Sequence, residues 1–154
     1  MVFLGKPYEP NAIIKNDIEF ILVFRKPGYR KQSLIKRKLS VIPENKFKEW
    51  FRQIWTIRGE STKHHPAPFP LELAERLIRM FSFVDDVVLD PFTGTGTTNV
   101  ASVRCGRNSI GIEVDPDFFE YAKGRILREV IFTNATFKAF GDADALKELE
   151  DVKQ

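Results

Sequence analysis

The apolar positions divide the chain into three stretches with different periods. In the first, Ile18-Glu19-Phe20-Ile21-Leu22-Val23-Phe24 is a β-branched and aromatic run, introduced by Asn16-Asp17 and stopped by Lys26-Pro27-Gly28. It predicts a buried strand closed by a turn, and the prolines between Lys6 and Asn11 predict a loop before it. The middle stretch, residues 29–63, has no clean period except from Asn45 to Ile57, where Phe47, Phe51, Ile54 and Trp55 fall at helical spacing and predict a short helix. The third stretch alternates between the two periods. Leu73, Leu77 and Phe81 share one face of a helix predicted over 71–81, followed by a short strand, Val87-Val88-Leu89-Asp90, with a carboxylate at its exit. Thr95 to Arg104 reads as a helix ending at Gly106, Ser109 to Glu113 as a second strand, and Asp115-Pro116 as the cap and first turn of a helix to about Arg128. Residues 131–140 have room for a third strand, with the final residues helical or frayed.

Strands and helices alternating at this length predict an α/β fold, a Rossmann-like sheet of parallel strands joined by right-handed crossovers. Ligands of such sheets sit beyond the carboxyl ends of the strands, where Asp90 and Glu113 both fall.

Length and composition narrow the class further. With 154 residues and 43% apolar content the chain suits one compact domain. No stretch reaches the length of a membrane span, and the N-terminus lacks the pattern of a signal peptide, so the expected location is the cytoplasm. The lone Cys105 cannot form an internal disulfide and is expected to be a small core residue. The net charge of +3 hides an uneven distribution: Arg30 to Lys63 holds ten basic and three acidic residues, leaving the rest net acidic. Composition thus changes near residues 29 and 64, giving segments 1–28, 29–63 and 64–154 within one structural domain.

Chemistry concentrates at the first strand-to-helix turn. Asp90-Pro91-Phe92-Thr93-Gly94-Thr95-Gly96-Thr97-Thr98 has glycines that let backbone pass close to a ligand, at a helix N-terminus with free N–H groups. A tight turn needs glycine even with nothing bound, so the loop alone is weak. About twenty residues on, Glu113 ends the second strand, where an acidic residue accepts ribose hydroxyls; helix capping is the alternative there and the better account of Asp115. A dinucleotide would place its third glycine at Asn99 and its pyrophosphate against Asp90, an electrostatically poor match. A ligand with an amino group and a sulfonium cation suits that carboxylate better, which points to S-adenosylmethionine.

Asp90 to Thr98 resembles motif I of the beta-class DNA amino-methyltransferases, which act on adenine N6 or cytosine N4, and Asn108 to Glu113 resembles their motif II. His65-Pro66-Ala67-Pro68-Phe69-Pro70, followed by Leu71, Leu73 and Leu77, is similar to motif X, which precedes motif I in this class. Gly5 to Asn11 and Glu19 to Lys26 resemble the late catalytic-half region, motifs VII and VIII, so the likeness covers residues 1 to about 130. Gly141-Asp142-Ala143-Asp144 is similar to motif III, with an ordinary surface carboxylate as the alternative for Asp142. The resemblance implies an S-adenosylmethionine site made by His65, Pro66, Phe69, Pro70, Asp90, Pro91, Phe92, Thr93, Gly94, Gly96, Thr97, Glu113, Val114 and Asp142. It also places target recognition in the basic segment, a small insertion with Tyr29, Trp50, Phe51 and Trp55 interleaved. There Arg30, Lys31, Lys36, Arg37 and Lys38 are the expected contacts to double-stranded DNA, while Phe51 and Trp55 suit packing.

Methyl transfer to an exocyclic amine also needs a flipped base, an aromatic stacked on it and acceptors orienting the amine. The family supplies these with Asp/Ser/Asn-Pro-Pro-Tyr/Phe/Trp, its motif IV. Here the nine prolines stand singly, so no catalytic residue can be named. The expectation is therefore a partial methyltransferase sheet, part of a restriction-modification type of enzyme. It would be inactive alone, with an exposed sheet edge completed by an N-terminal portion, a separate subunit or self-association. The alternative is a non-catalytic remnant or regulatory module that binds cofactor or DNA.

Overall fold

The computed structural model describes residues 18–28, 31–60 and 68–141. The chain forms two compact units, Met1–Lys31 and Gln32–Gln154, dividing near the change of composition at residue 29.

In the second unit, α1 (Leu34–Leu39) is started by Ser33, whose Oγ accepts the Lys36 amide at 3.2 Å. It is docked by polar groups: Ser40 Oγ accepts the Val84 amide at 2.8 Å, and Lys36 Nζ pairs with Asp85 at 3.4 Å. That is why apolar spacing does not reveal it. The helix predicted over 45–57 is the shorter α2 (Glu44–Trp50). Trp55, beyond its end, folds back so that its indole N–H donates to the Trp50 carbonyl at 2.7 Å. Arg76, from α3 (Leu71–Phe81), lies over both indoles, 5.9 Å from the Trp50 centroid and 5.6 Å from that of Trp55. It pairs with Glu49 at 2.6 Å and with Glu72. Arg76 is only 6% exposed, and a guanidinium so deeply buried needs those carboxylates to offset its lost hydration. This arrangement fixes α2 and Trp55 to α3.

α3 has the bounds its spacing predicts, with Ala74 and Ile78 buried. β1 (Val87–Asp90), α4 (Thr97–Arg104), β2 (Asn108–Gly111) and α5 (Pro116–Val130) follow in the expected order. β1 and β2 are parallel, in register from Val87 opposite Asn108 to Asp90 opposite Gly111, so the α/β class and crossover are observed. α5 begins as predicted: Asp115 accepts the Asp117 and Phe118 amides at 2.9 and 3.1 Å, and Pro116 takes the first position. On one face of the sheet Val88 packs against a cluster of Ala74, Ile78, Ala101 and Cys105. Cys105 is thus a core residue, its thiol pushed up by burial. On the other face Val87, Leu89 and Ile110 remain more than half exposed.

Two predicted strands are not observed. Residues 131–134 turn and 135–141 lack regular structure, leaving Ile131 and Phe132 exposed. Within the first unit, residues 18–26 lack strand structure as well, and Phe20 and Phe24 are exposed, not buried. An apolar run forms a strand only where neighbouring backbone satisfies its N–H and C=O groups, and among the described residues the sheet consists of β1 and β2.

α4 and α5 are tied by Arg104, whose guanidinium binds both oxygens of Glu129, with Nε at 2.9 Å. That hydrogen bonding holds the Glu129 carboxyl below its usual range. A depressed carboxylate contributes stability that is present above its unfolded value and lost as pH falls through the folded one. Glu129→Gln is therefore expected to flatten the acid limb of the Tm-against-pH profile below the ordinary carboxylate range. An unchanged acid limb in thermal scans would refute the assignment.

Candidate functional site

The loop between β1 and α4 is shaped by residues from both strands and from α5. Thr93 continues the sheet's bonding, its amide donating to the Ile112 carbonyl at 2.9 Å, and the Gly96 amide closes a turn onto Thr93 O at 2.9 Å. Gly94 and Gly96 adopt φ of +53° and +78°, the left-handed region that favours glycine. Gly96 is the N-cap of α4, so the helix starts at Thr97, two residues later than the spacing predicts, with no side chain capping it. Its first N–H groups are left for water or a ligand. A β-carbon on Gly96 would come within 3.0 Å of Ala122 Cβ on α5, which accounts for the close approach of loop and helix.

Two carboxylates border this loop. Glu113 Oε2 accepts the Gly94 amide at 2.6 Å and Oε1 the Asp115 amide at 2.9 Å. Asp90 Oδ1 accepts the Phe92 amide at 3.0 Å. A carboxylate oxygen can accept a second hydrogen bond, so both groups suit a ligand's donor. Beneath the loop, Asn99 donates from its amide to Ser109 Oγ at 3.1 Å, and Thr93 Oγ1 lies 3.4 Å from Asn99 Oδ1. Thr93 and Asn99 are both buried. Asn99, where a dinucleotide fingerprint would carry its third glycine, instead braces α4 against β2.

A shallow open cleft of about 60 Å³ is lined by Pro68, Phe69, Phe92, Thr93, Gly94, Thr95 and Thr97. It lies between Pro68 and Phe69 on one side and the glycine loop on the other. Phe92 is 88% and Phe69 38% exposed, so two aromatic surfaces at the cleft are available to a ligand. Of the predicted residues, Phe69, Phe92, Thr93, Gly94 and Thr97 meet in the cleft, and Glu113 is attached to it through Gly94. Pro70, Asp90, Pro91, Gly96 and Val114 do not line it, and Val114 is almost wholly exposed. His65, Pro66, Asp142 and Arg30 lie outside the described residues. Sequence reasoning did not single out Asn99 as a brace, Gly111 or Arg125, because their parts depend on contacts between elements. Acceptors for hydroxyls, a carboxylate near a strand exit and flat apolar walls suit a nucleoside that carries a cationic tail.

Comparison with known proteins agrees with that chemistry. The family model described as DNA methylase matches residues 5–124. The type II methyltransferase M.MjaI of Methanocaldococcus jannaschii is 46% identical over 121 residues, 73% of this chain and 40% of that protein. M.MthZI of Methanothermobacter thermautotrophicus is 37% identical over 138 residues, 81% of this chain and 39% of that protein. Among solved structures, a candidate DNA modification methylase of Thermus thermophilus is similar with a TM-score of 0.70 and 56% identity, covering 80% of this chain and 50% of that one. Its complex with S-adenosyl-L-methionine is similar with a TM-score of 0.68 and 54% identity, over 82% and 50%. The chain thus spans about two fifths of the curated relatives it matches. With the family match covering most of its length, the chain belongs to the DNA methylase family.

Proposed function

We propose that this chain is the S-adenosylmethionine-binding part of a site-specific DNA methyltransferase of the beta class, modifying adenine N6 or cytosine N4, and that it methylates nothing alone. The observation that carries the reading is the Glu113 carboxylate fastened to Gly94 at the mouth of the cleft. Support comes from the similar Thermus protein solved with S-adenosyl-L-methionine. In this reading Glu113 accepts the ribose hydroxyls while holding the loop, and Asp90 provides negative charge toward the cofactor's cationic tail. Phe69 and Phe92 provide flat apolar contact, Pro68 and Pro70 shape the rim, and Gly94 and Gly96 let the backbone approach. His65, Pro66, Pro91, Thr93, Thr97, Val114 and Asp142 complete the proposed set. The cofactor supplies a methyl group on a sulfonium centre.

The basic segment is proposed to bind double-stranded DNA through its phosphates. Lys36 is half-buried and paired with Asp85, while Arg37 and Lys38 are exposed on α1. Lys31, in the other unit, is exposed as well, and Arg30 belongs to the same proposal.

The base-holding part is proposed to come from a complementary stretch of polypeptide carrying the Pro-Pro-aromatic motif. The uncovered face of Val87, Leu89 and Ile110 supports this, because parallel strands are ordinarily covered on both faces. In this reading the assembled enzyme works in the cytoplasm. Purified chain incubated with DNA and methyl-labelled S-adenosylmethionine is expected to transfer no label. Robust transfer by the chain alone would contradict the reading.

A further inference from the structure

Resting on the proposed cofactor reading of the loop, we propose that Arg125 is a positioning residue that holds the Gly94–Thr95 turn ready for the ligand. Arg125 sits on α5, three residues beyond Ala122, the residue that packs against Gly96, and this spacing puts both on one side of the helix. Its Nη1 is 2.8 Å from the Thr95 carbonyl, 3.0 Å from Thr95 Oγ1 and 3.1 Å from Thr97 Oγ1. Thr95 and Thr97 both line the cleft, whereas Arg125 does not. It acts from behind the loop.

The contacts divide the work at one short turn. Glu113, from the end of β2, takes the amide of Gly94; Arg125, from α5, takes the carbonyl of Thr95. The peptide group between them is therefore anchored on both flanks, and it begins at a residue with φ of +53°. A loop with left-handed glycines samples many conformations when free, and ordering it at binding costs affinity. Opposite charges placed on its amide and carbonyl sides remove that cost beforehand. All three contacts come from one terminal nitrogen, whose two N–H groups are shared among the Thr95 and Thr97 acceptors and carry positive charge to the carbonyl side of the turn.

The test is equilibrium binding of S-adenosylmethionine to the full chain and to Arg125→Met and Arg125→Lys, with thermal midpoints recorded for each. Loss of hydrogen bonds from a charged donor predicts about a tenfold rise in Kd for Arg125→Met. Arg125→Lys should recover part of that loss, a rescue that a purely structural role would show in the midpoint and not in Kd. Should Arg125→Met fail to fold, the comparison of wild type with Arg125→Lys decides, an increase of a few fold in Kd being expected. Equal Kd for wild type and the folded variants overturns the role of Arg125 and leaves the cofactor reading standing. Wild type that does not bind S-adenosylmethionine overturns both.

Discussion

Gly111→Ala is expected to raise the Kd for S-adenosylmethionine at least tenfold and to cost about 1 to 3 kcal/mol of stability. Gly111 is the last residue of β2, and a β-carbon there would stand 2.3 Å from Thr93 Oγ1 and 2.8 Å from the Asn99 amide nitrogen and oxygen. These are not the mobile ends of surface side chains. Thr93 is 8% and Asn99 4% exposed, both in the contact of α4 with the sheet. To admit the methyl group, Asn99 has to release Ser109 or Thr93 has to leave its place beneath the loop, and either change moves the cleft lining. Urea unfolding and cofactor titration of the variant measure the two effects. A variant with wild-type stability and affinity would show that the Thr93–Asn99 brace does not set the loop.

The second large effect concerns Glu113. Glu113→Ala is expected to raise Kd about a hundredfold, because it removes the acceptor of the Gly94 amide together with the proposed partner of the ribose hydroxyls. Hydrogen bonds to a charged group contribute about 1.5 to 3 kcal/mol each, and about 1.4 kcal/mol is tenfold in affinity. Glu113→Gln retains one acceptor oxygen and should fall between wild type and Glu113→Ala. Titration calorimetry on the three proteins gives the order. If Glu113→Ala binds as wild type does, Glu113 is only a capping and loop-tying residue, and the ribose assignment is wrong.

How far the chain could be read before its structure was known depends on the range of the forces involved. α3 is marked by an amphipathic stripe and a proline before Leu71, and α5 by the Asp115-Pro116 cap; both are local signals and both hold. α4 starts later than expected because Gly96 takes a left-handed cap, at a point where a β-carbon would meet Ala122 of α5. The apolar runs at 18–24 and 131–140 have the composition of buried strands, yet neither forms one and Phe20, Phe24, Ile131 and Phe132 are exposed, because nothing in a run names its strand neighbour. α1 escapes detection for the opposite reason: its docking uses Ser40 and Lys36, side chains that leave no apolar period. The candidate site divides in the same way. Asp90, Gly94, Gly96 and Glu113 lie at strand ends and turns, so spacing places them at the loop, though only Gly94 of the four lines the cleft. Asn99, Gly111 and Arg125 act across elements, and only the folded chain brings them to the loop.

The central claim, a cleft built for S-adenosylmethionine, is tested most directly by calorimetric titration of the purified chain with S-adenosylmethionine and, side by side, with NAD. Saturable one-to-one binding of S-adenosylmethionine with no binding of NAD is the predicted result. Binding of NAD in preference, or no uptake of S-adenosylmethionine by folded protein, would contradict the account.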